Sequence, residues 1–388
     1  MYKKLVLSFA AATILFASCK KDPIVTPVTP MEIPYENLTT TTSYFETFKG
    51  DDGATSVSLS AQTTRVAMLK ELEVQMKIWS TTNVDATKLR NMFEHTGSPF
   101  TNPDLNTASD KTLIGKVAQS FSAVDAETER NRFKSYFDIQ AATSLHRTDS
   151  AYEGHAGKLG TYLVTEKGFE YGQLMQKGFM GAMMLDQICN IYFGTDAQSA
   201  DNSVMVSGKN YTQLEHNWDE AFGYLTSNAY YPMQDPNDAT KWLESYLGSY
   251  VRQVDNGLGD PTAVYMAFLK GRAAIVNKDD ATRNAQIEYI RTNLEKAIAT
   301  VAVSYLNKTI AATTTPTKFH SLSEGTGFIY SLRFAYNPKI NKTKSDELLA
   351  LLMGKTNGFW SLTTDDLTNV RNQVADAFGI SRDAEVDH

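Results

Sequence analysis

The sequence predicts an all-α fold, a multi-helix bundle or two packed helical bundles. Three observations carry this reading. Apolar residues recur at spacings of three and four along most of the chain, the period of a helix with one buried stripe. One stretch, Glu166 to Phe193, is apolar on nearly every side, as a central helix surrounded by others would be. No alternating apolar run bounded by turn residues is long enough to argue for a sheet.

The N-terminus reads differently from the rest. Lys3 and Lys4 precede an uncharged run from Leu5 to Phe16, which ends at Ala17-Ser18-Cys19. This is the three-part layout of a secretory signal over residues 1–18. The run is shorter than the ~20 residues a helix needs to span a bilayer. Small residues directly before Cys19 resemble the lipobox of bacterial lipoproteins, which implies cleavage there and a diacylglycerol on the Cys19 sulfur. Two or more acyl chains, at ~0.8 kcal/mol per buried methylene, suffice for stable anchoring. Residues 19–40 carry Pro23, Pro27, Pro30 and Pro34 and read as a semi-rigid tether of polyproline II character. The expected address is the cell envelope, lipid-anchored to the outer membrane. Lys20-Lys21-Asp22 leaves both the periplasmic and the surface face open.

Residues 41–388 are expected to form the helical body, one large domain or two sub-bundles, since single cores stop growing near ~250–300 residues. Tyr44 to Ser60 is rich in Ser, Thr, Gly and Asp and reads as loop. Val66, Leu69, Leu72, Met76 and Trp79 then define a helix, and a second is expected from Ser109 with Leu113, Val117 and Phe121 inward. Asp125 to His146 reads as a long surface helix burying Phe133, Phe137, Ala141 and Leu145. A Gly-rich loop over 153–160 leads into the central segment. There, Met175, Met180, Met183 and Met184 read as core filling. Gly168, Gly172, Gly178 and Gly181 each cost ~1 kcal/mol of helix propensity, so they are expected to let neighbouring backbones approach. Further helices are predicted at Tyr211–Leu225, Ala239–Val254, Thr262–Val276, Asn284–Leu306, Lys318–Ala335, Ser345–Met353 and Asp365–Phe378. The last has a capping box, Thr363 with Asp366.

Composition narrows the function. The formal charge is −7, and losing Lys3 and Lys4 with the signal makes it more negative still. An acidic surface disfavours nucleic acid as a partner. Cys189 is the one cysteine besides Cys19, and its apolar helical surroundings suit a buried inert thiol. No His-Glu-x-x-His, Gly-x-Ser-x-Gly, Walker A or Cys-x-x-Cys pattern is present, so no residue is assigned a catalytic role. His155 lies in a Gly-rich loop that lacks a phosphate-binding pattern, and His95 and His146 read as surface or loop residues.

Ionisable groups nevertheless fall on helices expected in the core. His216 and Glu220 are four apart with Asp219 beside them; His320 and Glu324 repeat the spacing; Glu170 opens the central segment. An imidazole and a carboxylate at i, i+4 share a helical face and can jointly ligate a metal ion, as facing helices of bundles do. The six residues are therefore candidates for a ligand or metal site. The other reading is a set of buried polar networks in which they satisfy one another.

Four segments carry a resemblance: Thr64 to Leu69, Tyr162 to Gln187, Trp218-Asp219-Glu220-Ala221-Phe222-Gly223-Tyr224, and Leu322-Ser323-Glu324-Gly325-Thr326-Gly327-Phe328. Together with the lipobox they resemble a Bacteroidetes lipoprotein family catalogued as domain of unknown function 4856, over nearly all of the chain after Cys19. That family is similar to imelysin-like proteins and neighbours outer-membrane iron or haem receptors. The resemblance implies a binding or accessory protein for iron or haem acquisition, with an outer-membrane receptor or another envelope protein as partner. Gly154-His155-Ala156-Gly157 lacks the imelysin Gly-x-His-x-x-Glu spacing, so no imelysin site is carried over. A carboxylate- or metal-dependent hydrolase and a helical scaffold for another envelope protein are the alternatives.

Overall fold

The computed structural model describes residues 31–50, 52–233, 246–255 and 263–386. Cys19 and most of the Pro-rich segment lie outside them, as does 239–245 of the helix expected at Ala239–Val254. The described residues are all-α apart from one hairpin. Helix α1 spans Ser60–Lys77, α2 Ala86–Glu94 and α3 Ala123–Ser144. The strands β1, Gly157–Leu159, and β2, Tyr162–Val164, pair antiparallel. The central element, α4, begins as an α-helix over Tyr171–Phe179 and continues through π-helical stretches at Met180–Leu185 and Gln187–Tyr192. Then come α5 Gln213–Leu225, α6 Tyr246–Asp255, α7 Ala263–Val276, α8 Asp280–Ala311, α9 Thr315–Ser331, α10 Lys342–Met353 and α11 Thr364–Phe378.

The longest helix, α8, is the axis of the packing. It lies against α6, α7, α9 and α11, while α9 also lies against α4. Ile287, Ile290, Leu294, Ile298 and Val301 bury one stripe, and Val303, Tyr305 and Leu306 extend it as α8 passes between neighbours. Buried apolar side chains from Leu38 to Val386 form one continuous cluster. The expected capping box starts α11: Thr363 Oγ1 accepts from the Asp366 N–H, and Asp366 Oδ2 accepts from the Thr363 N–H at 2.9 Å.

Several elements differ from expectation for local reasons. The helix expected from Ser109 is only a 3₁₀ turn at Ile114–Lys116, although Leu113 and Val117 are buried as anticipated. Thr112 Oγ1 accepts from the Gly115 N–H, and Ala118 takes a positive φ of 52°, sending its N–H to the Ala182 carbonyl at 2.7 Å. That acceptor lies in a π-helical turn of α4, where helical bonding is irregular and carbonyls can serve other partners. Helix α2 is an addition to the predicted helices; Asp85 caps it by accepting from the N–H groups of Thr87 and Lys88. Leu145, expected inward, is exposed because α3 ends at Ser144. Tyr44–Thr47, expected as loop, forms a helical turn capped by Ser43 that buries Tyr44.

The glycines of the central segment divide. A Cβ on Gly181 would stand 2.4 Å from Ser331 Cα, and one on Gly178 would stand 3.2 Å from the Tyr330 ring. These two do let α9 approach. Gly168 instead takes a positive φ of 83° in the turn before α4, and a Cβ on Gly172 would meet nothing within 4 Å.

Candidate functional site

The six ionisable residues singled out by spacing occupy two separate places. Helix α5 is started by a second capping box, Thr212 with Glu215, and carries His216, Asp219 and Glu220. Asp219 is completely buried and faces Arg272 of α7, itself completely buried. Asp219 Oδ1 accepts from Arg272 Nε at 3.0 Å and from the Tyr44 hydroxyl at 2.7 Å. Arg272 Nη1 donates to Glu215 Oε1 at 2.9 Å and Nη2 to Ser56 Oγ at 3.1 Å, with the guanidinium 4.8 Å from the Phe48 ring centre. Burial lifts the Asp219 carboxyl to about 6, against the downward pull of Arg272 and the Tyr44 hydroxyl. The group is an electrostatic clamp joining α5, α7 and the segment from Tyr44 to Ser56.

His216 and Glu220 lie outside that clamp. His216 Nε2 stands 3.9 Å from Glu220 Oε1, and its ring stacks on Tyr211 at 4.6 Å. Burial depresses the His216 imidazole, with Glu220 opposing the shift. Glu220 Oε1 also accepts from Gln62 Nε2 at 3.1 Å.

Glu170, His320 and Glu324 do converge, where the start of α4 meets α9. His320 Nδ1 lies 2.7 Å from Glu170 Oε2, and Nε2 lies 3.8 Å from Glu324 Oε2. Beyond them Lys177 Nζ meets Glu324 Oε1 at 2.9 Å. Lys177 is buried, 5.0 Å from the Tyr250 ring centre and 6.0 Å from that of Phe328. Tyr162 of β2 stacks on the His320 imidazole at 4.1 Å, nearly parallel. The backbone fixes the geometry: the Glu170 N–H donates to Ser323 Oγ, which donates in turn to the Phe319 carbonyl. Charges of alternating sign thus run inward from the half-buried Glu170, through His320 and Glu324, to Lys177.

Each shift in this chain has a named cause. Burial opposes the charge on His320, but the hydrogen bond and charge of Glu170, helped by Glu324, raise its imidazole above the usual value. Burial opposes the charge on Glu324, yet Lys177 and His320 hold its carboxyl below the usual range. Burial also works against the Lys177 ammonium, and Glu324 reverses this. With Lys177 already on Glu324, the set is self-neutralising. That charge balance suits proton sharing and a polar ligand better than a bare cation.

A pH dependence follows from His320. Its folded-state pKa is raised, so its stabilising contribution is complete below the unfolded value of about 6.5 and is lost as pH rises through the higher folded value. Urea midpoints between about pH 6 and pH 9 are expected to fall more steeply for the native chain than for His320→Gln. Equal slopes would rule out the contribution.

Spacing along the sequence did not reveal Lys177 and Tyr162 as members of this set. The readable signal for Lys177 is a basic residue in the largely apolar run from Tyr171 to Tyr192, whose other charge is Asp186. Nor did spacing bring together His146, Asp149 and His155, which meet between the end of α3 and the hairpin. Cys189 is completely buried, and burial drives its thiol far above the range of a nucleophile. No helix among the described residues is long and apolar enough to cross a membrane.

No curated protein and no solved structure matches the chain significantly. A family model described as Domain of unknown function (DUF4856) matches residues 43–381. That span runs from the turn that caps Tyr44 to the residues just after α11, both site-bearing helix pairs included, and the chain belongs to the DUF4856 family.

Proposed function

We propose that the protein is a membrane-anchored extracytoplasmic binding protein, tethered through acylated Cys19 and taking a polar ligand where Glu170, His320 and Tyr162 meet. The carrying observation is the Glu170–His320 pair at 2.7 Å, stacked under Tyr162 and backed by the buried Glu324–Lys177 pair. These groups are fixed before any ligand arrives, so little ordering free energy is spent on binding. Glu170 offers a partly accessible acceptor, and Tyr162 an apolar face. An accessory role in iron or haem acquisition, beside an outer-membrane receptor, rests on the sequence resemblance and the lipobox.

Two measurements test this. Cys19→Ser is expected to move the protein from the membrane pellet to the soluble fraction; a variant that still pellets with membranes removes the anchor. Haem and ferric iron are added in turn; haem is expected to raise the melting temperature more than ferric iron, a bare cation that this charge-balanced set does not favour, since a ligand at a hundredfold excess over its Kd stabilises by about 2.7 kcal/mol. Glu170→Gln and His320→Gln should abolish the rise. No shift with either ligand removes the iron and haem role.

A further inference from the structure

We propose that His146, Asp149 and His155 form a three-ligand site for a first-row divalent transition-metal ion, separate from the Glu170–His320 set. His146 Nδ1 lies 2.9 Å and His155 Nε2 3.4 Å from the same Asp149 oxygen, Oδ2. The three donor atoms all lie within 4.8 Å of one another. A tetrahedral ion with bonds of about 2.0–2.1 Å holds neighbouring donors roughly 3.3 Å apart. Small side-chain rotations therefore bring all three onto one ion. Two imidazole nitrogens and one carboxylate oxygen form a donor set of intermediate softness. Such a set favours zinc, iron(II), cobalt or nickel over magnesium or calcium, which prefer all-oxygen sites.

The site is built by the backbone. His146 follows the last turn of α3, and its carbonyl accepts from the Asp149 N–H at 2.9 Å. The Asp149 carbonyl accepts from the Lys158 N–H of β1 at 2.8 Å, and the Ala151 N–H returns to the Lys158 carbonyl at 3.0 Å. A Cβ on Gly157 would stand 2.7 Å from the Asp149 carbonyl oxygen, so this close passage requires glycine there. His155 is set by reciprocal backbone bonds with Tyr152, whose ring stacks on the imidazole at 4.9 Å. Gly154, at φ 82°, makes that turn possible and ties it to the Glu166 carbonyl. Three side chains from a helix end and two turns are thus aimed at one point by hydrogen bonds that do not involve the ligand atoms.

The electrostatic setting differs from that of Glu324 and Asp219, acids with buried Lys or Arg partners. Glu324 meets Lys177, and Asp219 meets Arg272, whereas the ion-pair partners of Asp149 among the described residues are the two imidazoles. Among the described residues, no Lys or Arg is paired with Asp149 in the place of the metal. The side chains are 44%, 44% and 35% exposed for His146, Asp149 and His155, so an ion can enter from solvent. Three protein ligands leave a fourth tetrahedral position for water or for a donor from a bound molecule. His146 also forms part of the wall of a groove of about 450 Å³ shared with Thr143, Glu166, Phe169 and Tyr171, large enough for a small ligand beside the ion.

Zinc is the probe. Competition titration of the detergent-solubilised full chain against a chromogenic chelator is expected to show one tightly held zinc per chain. His146→Ala, Asp149→Asn and His155→Gln should each weaken it at least tenfold while helicity by circular dichroism stays unchanged, because all three side chains are half-exposed. Glu170→Gln and His320→Gln should leave zinc affinity intact, which keeps this result distinct from failure of the binding role proposed above. The site is overturned by the absence of one-to-one binding. It is equally overturned if a folded Asp149→Asn chain keeps native affinity, or if zinc is lost only with the Glu170 and His320 variants.

Discussion

Arg272→Met is expected to destabilise the folded chain by about 3–5 kcal/mol, the usual consequence of removing one partner from a buried ion pair. In a chain of this size that corresponds to a fall of about 4–7 °C in Tm. The loss is large because of what remains. Asp219 keeps only the Tyr44 hydroxyl on Oδ1, while its Oδ2 already has no hydrogen-bond partner. Glu215 loses the same cation. Arg333 makes the instructive contrast. Its partner Glu129 is just as buried but also accepts from Arg132 Nε at 3.0 Å and from the Tyr330 hydroxyl at 2.8 Å. Arg333→Met should therefore be the milder change. Asp219 also gives the Arg272 variant a pH signature. Burial already raises its folded pKa to about 6, and loss of Arg272 pushes it higher. A carboxyl raised by folding contributes stability below its unfolded value near 3.9, and that contribution disappears as pH rises through the folded value. The deficit of Arg272→Met should thus be smaller at pH 5 than at pH 8, and adding Asp219→Leu should recover part of it at pH 8. Urea unfolding at both pH values checks this; a deficit under about 0.5 kcal/mol, or one independent of pH, would count against the clamp.

The same residues show what sequence periodicity reaches. A period of 3.6 places side chains on helix faces, so α1, α3, α5 and α7 to α11 were legible with ends shifted by a few residues. The i, i+4 pairs were legible too: His216 meets Glu220, and His320 meets Glu324. Periodicity does not say which faces meet. Glu170 reaches His320 across 150 positions and Asp219 reaches Arg272 across 53, contacts that depend on how α4 seats on α9 and α5 on α7. The charges on Lys177, Arg272 and Arg333 were the available clue, since a long charged side chain inside an apolar stretch is almost never buried without a partner. The His146, Asp149 and His155 cluster was out of reach for another reason. Its members stand in turns whose course is set by individual backbone hydrogen bonds and positive-φ glycines, where no hydrophobic period exists to be read.

The second large effect is expected at Gly181, where α4 and α9 touch backbone to backbone. The Gly181 N–H donates to Ser331 Oγ at 3.1 Å, and that hydroxyl donates to the Lys177 carbonyl at 2.7 Å. A methyl group at this position would stand 2.4 Å from Ser331 Cα and 2.6 Å from its carbonyl oxygen. Backbone atoms cannot swing aside as a side-chain tip can, so Gly181→Ala must spread the two helices. Overpacking of this kind costs about 1–3 kcal/mol, and the broken Ser331 bridge adds to it. Gly172→Ala, on the same helix but with nothing within 4 Å of the added carbon, should instead stabilise by about 0.5 kcal/mol through lower chain entropy in the unfolded state. Opposite signs for two identical substitutions on one helix separate helix contact from helix propensity; urea midpoints of equal sign would refute the contact. Spreading at Gly181 also acts on the site. The seam continues at Gly327, where an added Cβ would stand 2.7 Å from Lys177 Cβ, and one turn away lies the Lys177–Glu324 pair that supports His320. Gly181→Ala is therefore expected to change the pH slope contributed by His320, whereas Gly172→Ala should leave that slope as it is.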